Sequence, residues 1–327
     1  MVRRSPTPTV RRYDPRSEER WPYDAAQPYA LPPRGRRPRR SLGGAVAGIL
    51  GVVAAILVLA VLGLAAFTDG GAVAARIRND PAQIPAETAT ANPLYRTGPL
   101  TPVGCRLPRI RPGSDESMRR FMDTLSQCLD RSWQQQFGKA DLTFEPPKRI
   151  FWNTPGRGPC GSFPSPGAAA FYCPENDTMY VGLRHIVETS GGEPVSHYAV
   201  YARVIAHEYG HHVQEQAGIL AYGHQRMDAA AAAASAAGST EISRRIELQA
   251  QCLAGVFLGA ERGTLPMTRA QYVALMIDLR ARGDDRQPAD KRDHGSGRSY
   301  AGWVEKGYRE RVVGTCDTWT VPAAQVD

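Results

Sequence analysis

A run of 23 residues without a charge, positions 45–67, limits more than any other feature what this chain can fold into. About 20 apolar residues in a helix span the hydrocarbon core of a bilayer. A helix buried in a soluble protein seldom stays uncharged for so long. A cleaved signal peptide is the main competitor, with Ala72-Val73-Ala74 as a small-residue cleavage site. The apolar part of such peptides is typically only about 7–15 residues, however. The run therefore reads as one transmembrane signal anchor over residues 41–67. Arg34, Arg36, Arg37, Arg39 and Arg40 precede it, and Thr68-Asp69-Gly70-Gly71 follows. Positive charge stays inside. The expectation is a single-pass protein of the cell membrane with a cytoplasmic N-terminus and residues 68–327 outside the cytoplasm.

The formal charge of +8 belongs almost wholly to the tail: residues 1–40 hold eleven Arg against four acids. The remainder is nearly neutral, which argues against nucleic acid as a partner. Rich in Pro and Arg, the tail buries too little apolar surface to offset chain entropy and reads as disordered. All six cysteines lie beyond the apolar run, where disulfides persist. Fifteen pairings are open. The preferred one joins Cys105 to Cys128, Cys160 to Cys173 and Cys252 to Cys316, because the middle pair closes a short loop and the last ties a helix to the C-terminal region.

Residues 68–100, with four prolines among small and polar residues, read as an extracytoplasmic linker, and 101–327 as the folded domain. Met118, Phe121, Met122, Leu125, Leu129 and Trp133 recur at helical spacing, predicting a helix over 114–137. Leu142-Thr143-Phe144, Ile150-Phe151-Trp152, Phe171-Tyr172-Cys173 and Met179-Tyr180-Val181 are short runs between turn residues, predicting a small antiparallel sheet. Further helices are expected over 194–217, 240–260, from Thr268 to before Gly283, and near 300–309. Thr268 and Gln271 have capping-box spacing. The fold class is α+β, mostly helical.

The helix over 194–217 contains His207-Glu208-Tyr209-Gly210-His211. Two His at i and i+4 leave one helical face and can reach a single metal ion. Glu208, one position on, cannot share that direction and is placed to take a proton from a metal-bound water. Val200 and Val204 continue the histidine stripe backwards, so the ligand face is the buried one. His212 falls off that stripe and reads as a surface residue. A catalytic zinc site needs a third protein ligand and an open position. Glu247, on a second helix with small Ala250 and Ala254 beside it, is the candidate.

These segments, Val204-Ile205-Ala206-His207-Glu208-Tyr209-Gly210-His211-His212-Val213-Gln214 and Glu247-Leu248-Gln249-Ala250-Gln251-Cys252-Leu253-Ala254-Gly255, resemble the bacterial neutral zinc metallopeptidases of the gluzincin-like type. Phe171-Tyr172-Cys173-Pro174, His294-Gly295-Ser296, Trp303, Gly307-Tyr308 and Cys316-Asp317-Thr318-Trp319 reinforce the resemblance. It implies a zincin-like domain, Zn2+ on His207, His211 and Glu247, Glu208 as general base, and a peptide or protein as substrate. Members similar to this chain commonly carry an N-terminal membrane segment. His294 is the first candidate for a transition-state donor, with Tyr300 and Tyr308 behind it. The family usually has Asp where this chain has Gln251, one helical turn after Glu247. A neutral amide there can accept an imidazole N–H but adds no negative charge to make the ligand more basic. Extended substrate is expected to pair with a strand such as 178–183. The competing reading is a zinc-stabilised ectodomain without turnover that binds a partner in the envelope.

Overall fold

The computed structural model describes residues 83–164, 168–265 and 267–327. The expected tail and the 41–67 anchor lie outside these residues. No helix among the described residues is long and apolar enough to cross a membrane.

Eight α-helices and five strands are described: α1 Glu87–Thr90, α2 Asp115–Gly138, β1 Lys148–Trp152, β2 Gly156–Gly158, β3 Gly161–Phe163, β4 Ala170–Cys173, β5 Thr178–Gly182, α3 His185–Glu188, α4 Tyr198–Gln216, α5 Ile219–Ala232, α6 Ala236–Ala260, α7 Arg269–Ala281 and α8 Gly297–Glu310. The mostly helical α+β class is as expected. The sheet is not the purely antiparallel one predicted. Its order is β1-β5-β4, with β5 antiparallel to β4 but parallel to β1; β2 and β3 form a separate hairpin. The connection from β1 to β5 carries the hairpin and β4, long enough for a parallel return. All five residues of β5 are buried, as a central strand requires. Leu142-Thr143-Phe144 forms no strand; Phe144 stacks instead on Phe137 and Tyr209.

Residues 84–100 are built into the domain, which corrects the expected boundary at 101. Leu94 and Leu100 are buried, and Asn92 donates from its amide to the Thr88 and Ala217 carbonyls. Pro99 pairs with Val312, and the Leu100 N–H donates to the Arg311 carbonyl.

The centre of the fold is α4, packed against α2, β4, α5, α6 and α7. Nearly every residue from Ala199 to Gln214 is buried, the mark of a helix enclosed on all sides. It begins at Tyr198 and not at 194 because Pro194 to His197 form a turn. The cap comes from another helix. Gln271 on α7 accepts the Ala199 N–H and donates to the Ser196 carbonyl, so its side chain serves α4 and does not return to Thr268. The expected capping box is half formed, with the Thr268 hydroxyl accepting the Gln271 N–H. Between α6 and α8 the backbones touch. A Cβ at Gly255 would lie 2.2 Å from the Val304 carbonyl oxygen, and one at Gly307 would lie 2.2 Å from that of Cys252.

The preferred disulfide pairing is the one found: Cys105–Cys128, Cys160–Cys173 and Cys252–Cys316, with Cα atoms 5.6, 5.7 and 5.4 Å apart. The first holds the 101–110 segment on α2. The second fixes the end of β4, and the third ties α6 to the segment after α8.

Candidate metal centre

His207 and His211 leave the same face of α4, and Glu247 faces them from α6. Gly210 sets how closely the two helices approach: a Cβ there would meet the Ala250 carbonyl oxygen at 2.9 Å and its Cα at 3.0 Å. The three ligand atoms form a nearly equilateral triangle. His207 Nε2 is 3.2 Å from His211 Nε2 and 3.2 Å from Glu247 Oε2, and His211 Nε2 is 3.5 Å from the same oxygen. A tetrahedral zinc with bonds of about 2.0–2.2 Å needs ligand atoms about 3.3–3.6 Å apart. The donor set of two imidazoles and a carboxylate is that of catalytic zinc sites, which leave the fourth direction open. The residues present fit the ion.

Charge in the cluster is organised around Glu247. Burial works against its ionisation, but His211 and His207 hold its carboxyl well below the usual range. Burial also opposes charge on His211, where Glu247 prevails and lifts the imidazole to about 9. On His207 burial prevails and pushes it down to about 4. Glu208 is buried, and burial raises its carboxyl to about 7 although the Tyr172 backbone N–H donates to it. Tyr172 belongs to β4, an edge strand. Since Gly182 bonds to the Ala169 carbonyl, the odd positions of β4 face β5, and Ala170 and Tyr172 turn their backbone groups to the open side. The expectation that 178–183 receives substrate fails here, because β5 has both edges occupied. Among the described strands, the edge beside Glu208 that no strand covers is that of β4.

His294, 44 % exposed in its side chain, carries a hydrogen bond from Nδ1 to Asp293, 2.7 Å, and has Asp284 at 3.5 Å. Burial of part of the ring disfavours its charge, yet these two carboxylates raise its pKa well above the usual value. Its field reaches both Glu247 and Tyr300. Tyr308 is elsewhere, its ring tilted against Tyr272 at 5.2 Å. Asp284, Asp293 and His294 also form a small cluster of possible ligands, occupied by their own hydrogen bonds.

Gln251 is fully buried one turn beyond Glu247, but neither atom of its amide has a hydrogen-bond partner among the described residues. His207 Nδ1 is likewise buried without one. The outer nitrogen of His211 is held instead by Gln214 Oε1, 3.0 Å away on α4 itself. That contact was legible as an i, i+3 spacing within the segment already singled out. His212 corrects the surface expectation: it is fully buried, between the Tyr172 hydroxyl and the Glu145 carbonyl. Arg203, one turn before His207, is buried against Asp278 and was also not anticipated.

The family pattern described as putative neutral zinc metallopeptidase matches residues 105–319 of this chain. YpfJ, an uncharacterized protein of Escherichia coli strain K12, is 28% identical over 218 residues, covering 64% of this chain and 74% of that protein. Two uncharacterized mycobacterial proteins, Mb2605 of Mycobacterium bovis and Rv2575 of Mycobacterium tuberculosis, are each 33% identical over 199 residues. Those alignments cover 54% of this chain and 62% of each relative. No solved structure matches.

Proposed function

The chain belongs to this zinc metallopeptidase family, and on that premise we propose that it hydrolyses peptide bonds with zinc held by His207, His211 and Glu247. The observation that carries the reading is the triangle of ligand atoms, 3.2–3.5 Å on its edges, beside the buried carboxylate of Glu208. A zinc ion bound there supplies Lewis-acid polarisation of the scissile carbonyl and acidifies water. Glu208 takes the proton from the attacking water and returns it to the leaving amine; a carboxyl near 7 is suited to both transfers. His294, kept protonated by Asp293 and Asp284, donates to the oxyanion as it develops. Extended substrate adds to the open edge of β4, where Ala170 presents both backbone groups. The substrate is a peptide or protein outside the cytoplasm, with the chain anchored through 41–67.

A zinc-binding module without turnover is the second reading. What favours it is Gln251, a neutral residue with an unpartnered amide where the family usually supplies a carboxylate. The two readings separate on the cleavage of a peptide library by the full chain purified in detergent. Glu208→Gln should keep about one zinc per chain and lose about 10²–10⁴-fold in cleavage. Equal cleavage by wild type and Glu208→Gln would end the peptidase reading. Full zinc in the His207→Ala, His211→Ala double variant would end the metal assignment.

A further inference from the structure

Behind His211 runs a line of buried polar side chains whose donors and acceptors can be assigned without ambiguity. It starts at three main-chain carbonyls. The Tyr95 hydroxyl donates to the Ala89 carbonyl at 2.8 Å, so its oxygen is left to accept. Gln249 Nε2 donates to that oxygen at 2.8 Å and to the Cys316 carbonyl at 3.1 Å. A carbonyl only accepts, so the nitrogen of Gln249 must face this way and its oxygen must face Gln214. Gln214 Nε2 then donates to Gln249 Oε1 and to the Ile246 carbonyl, both at 2.9 Å. Both of its hydrogens are committed, and turning the amide over would set oxygen against oxygen on two sides. The Gln214 oxygen therefore points at His211 Nδ1, 3.0 Å away. Gln214 and Gln249 are 0 % and 1 % exposed, so water does not compete for these bonds.

We propose that Gln214 is a positioning residue that holds the Nδ1–H of His211, so that the proton surrendered to a metal leaves from Nε2, the nitrogen facing His207 and Glu247. This rests on the metal reading above and goes beyond it, because the two histidines are not equivalent. His207 Nδ1 has no acceptor among the described residues, whereas His211 is held by a relay that ends on Tyr95. Tyr95 lies in the 84–100 segment, so the stretch that reads as linker in the sequence helps to hold a metal ligand in place. The alternative is that Gln214 only fastens α4 to α6.

The test uses the full chain in detergent and measures zinc affinity by competition with a chromophoric chelator, alongside the melting temperature of the metal-free protein. Gln214→Leu removes the acceptor and should weaken zinc binding about 10–100-fold. Gln214→Glu keeps an acceptor for His211 but loses both donated bonds to α6. It should lower the metal-free melting temperature while holding zinc affinity within about threefold of wild type or tighter. A fastening role predicts the reverse pattern, with affinity falling in step with melting temperature in both variants, and would overturn the proposal. Should the Leu variant fail to fold, nitrogen-15 NMR of labelled histidine in the metal-free wild type at high pH, where the ring is neutral and both tautomers are open, decides. A proton on His211 Nδ1 is expected, and its absence overturns the assignment. A wild-type chain that binds no zinc would sink the metal reading itself. Wild type and Gln214→Leu binding zinc equally well would sink only this inference.

Discussion

Adding one methyl group at Gly210 should disturb the metal centre more than it disturbs the fold. The Cβ of Gly210→Ala would meet the Ala250 carbonyl oxygen at 2.9 Å and the Ala250 Cα at 3.0 Å, where ordinary contact begins at 3.4 Å. The obstacle is backbone and cannot rotate away, so α4 and α6 must separate by about 0.5 Å. Overpacking of this kind costs about 1–3 kcal/mol. Replacing a mid-helix Gly by Ala returns about 1 kcal/mol. The net loss of stability in the metal-free protein is thus expected at about 0–2 kcal/mol. For the metal the same shift matters more. Glu247 moves with α6, and edges now 3.2–3.5 Å would open toward about 4 Å, too wide for bonds of about 2.1 Å. Zinc affinity should fall by about tenfold or more, since such sites tolerate little over about 0.5 Å of misplacement. Urea unfolding of the metal-free protein and chelator competition measure the two effects separately. Gly302→Ala is the control: nothing lies within 4 Å of its Cβ position on the exposed face of α8, so it should be neutral or stabilise. Ala250→Gly should not rescue Gly210→Ala, because the close contacts are to the oxygen and Cα of Ala250. A Gly210→Ala variant that matches Gly302→Ala in stability and wild type in zinc affinity, or that Ala250→Gly restores, would show that the two helices do not part.

Zinc loading at pH 7.5 should release between about one and two protons. With its pKa raised to about 9, His211 is protonated in the metal-free protein and must give up its proton; His207, lowered to about 4, has none to give, and Glu208 near 7 contributes a fraction. Affinity should accordingly rise with pH up to about 9, and calorimetry in buffers of different ionisation enthalpy that finds no proton release would contradict this charge pattern. For the proposed topology, a reporter fused after Asp327 should be active only if it is of the kind that works outside the cytoplasm. Activity of a cytoplasm-only reporter there would reverse the orientation.

The histidine ligands were legible because they rest on local geometry. His207 and His211 are one turn apart on one helix, whereas Glu247 was singled out by the resemblance of its segment, 247–255, to the metallopeptidase family. Of the disulfides, Cys160–Cys173 was legible from its short loop, and Cys252–Cys316 from the expected tie between a helix and the C-terminal region. What stayed hidden depends on how many sides of an element are covered. His212 looked exposed on the premise that α4 has one buried stripe, but α4 is enclosed all round, so residues off the stripe are buried too. The uninterrupted apolar run from Val204 to Ala206, flanked by Ala199 to Ala202, was the available sign. Strand order was not readable either: β1 and β5 look alike as short apolar runs, and only tertiary packing makes β5 central. The 84–100 segment looked like a linker by its prolines, yet Asn92, Leu94 and Tyr95 make long-range contacts that no local pattern announces.

The backbone contact between α6 and α8 at Gly255 and Gly307 bears on how the protein could diversify or be redesigned. Where main chains touch at 2.2 Å from a would-be Cβ, there is no side chain to exchange and no volume to trade. With Gly210 likewise closed between α4 and α6, three positions of the helical frame accept no side chain at all. New specificity has to be written on the rim, in the open edge of β4 and the His294 loop, where changes need not move a ligand. A mutational scan for altered cleavage preference is best confined to those two surfaces.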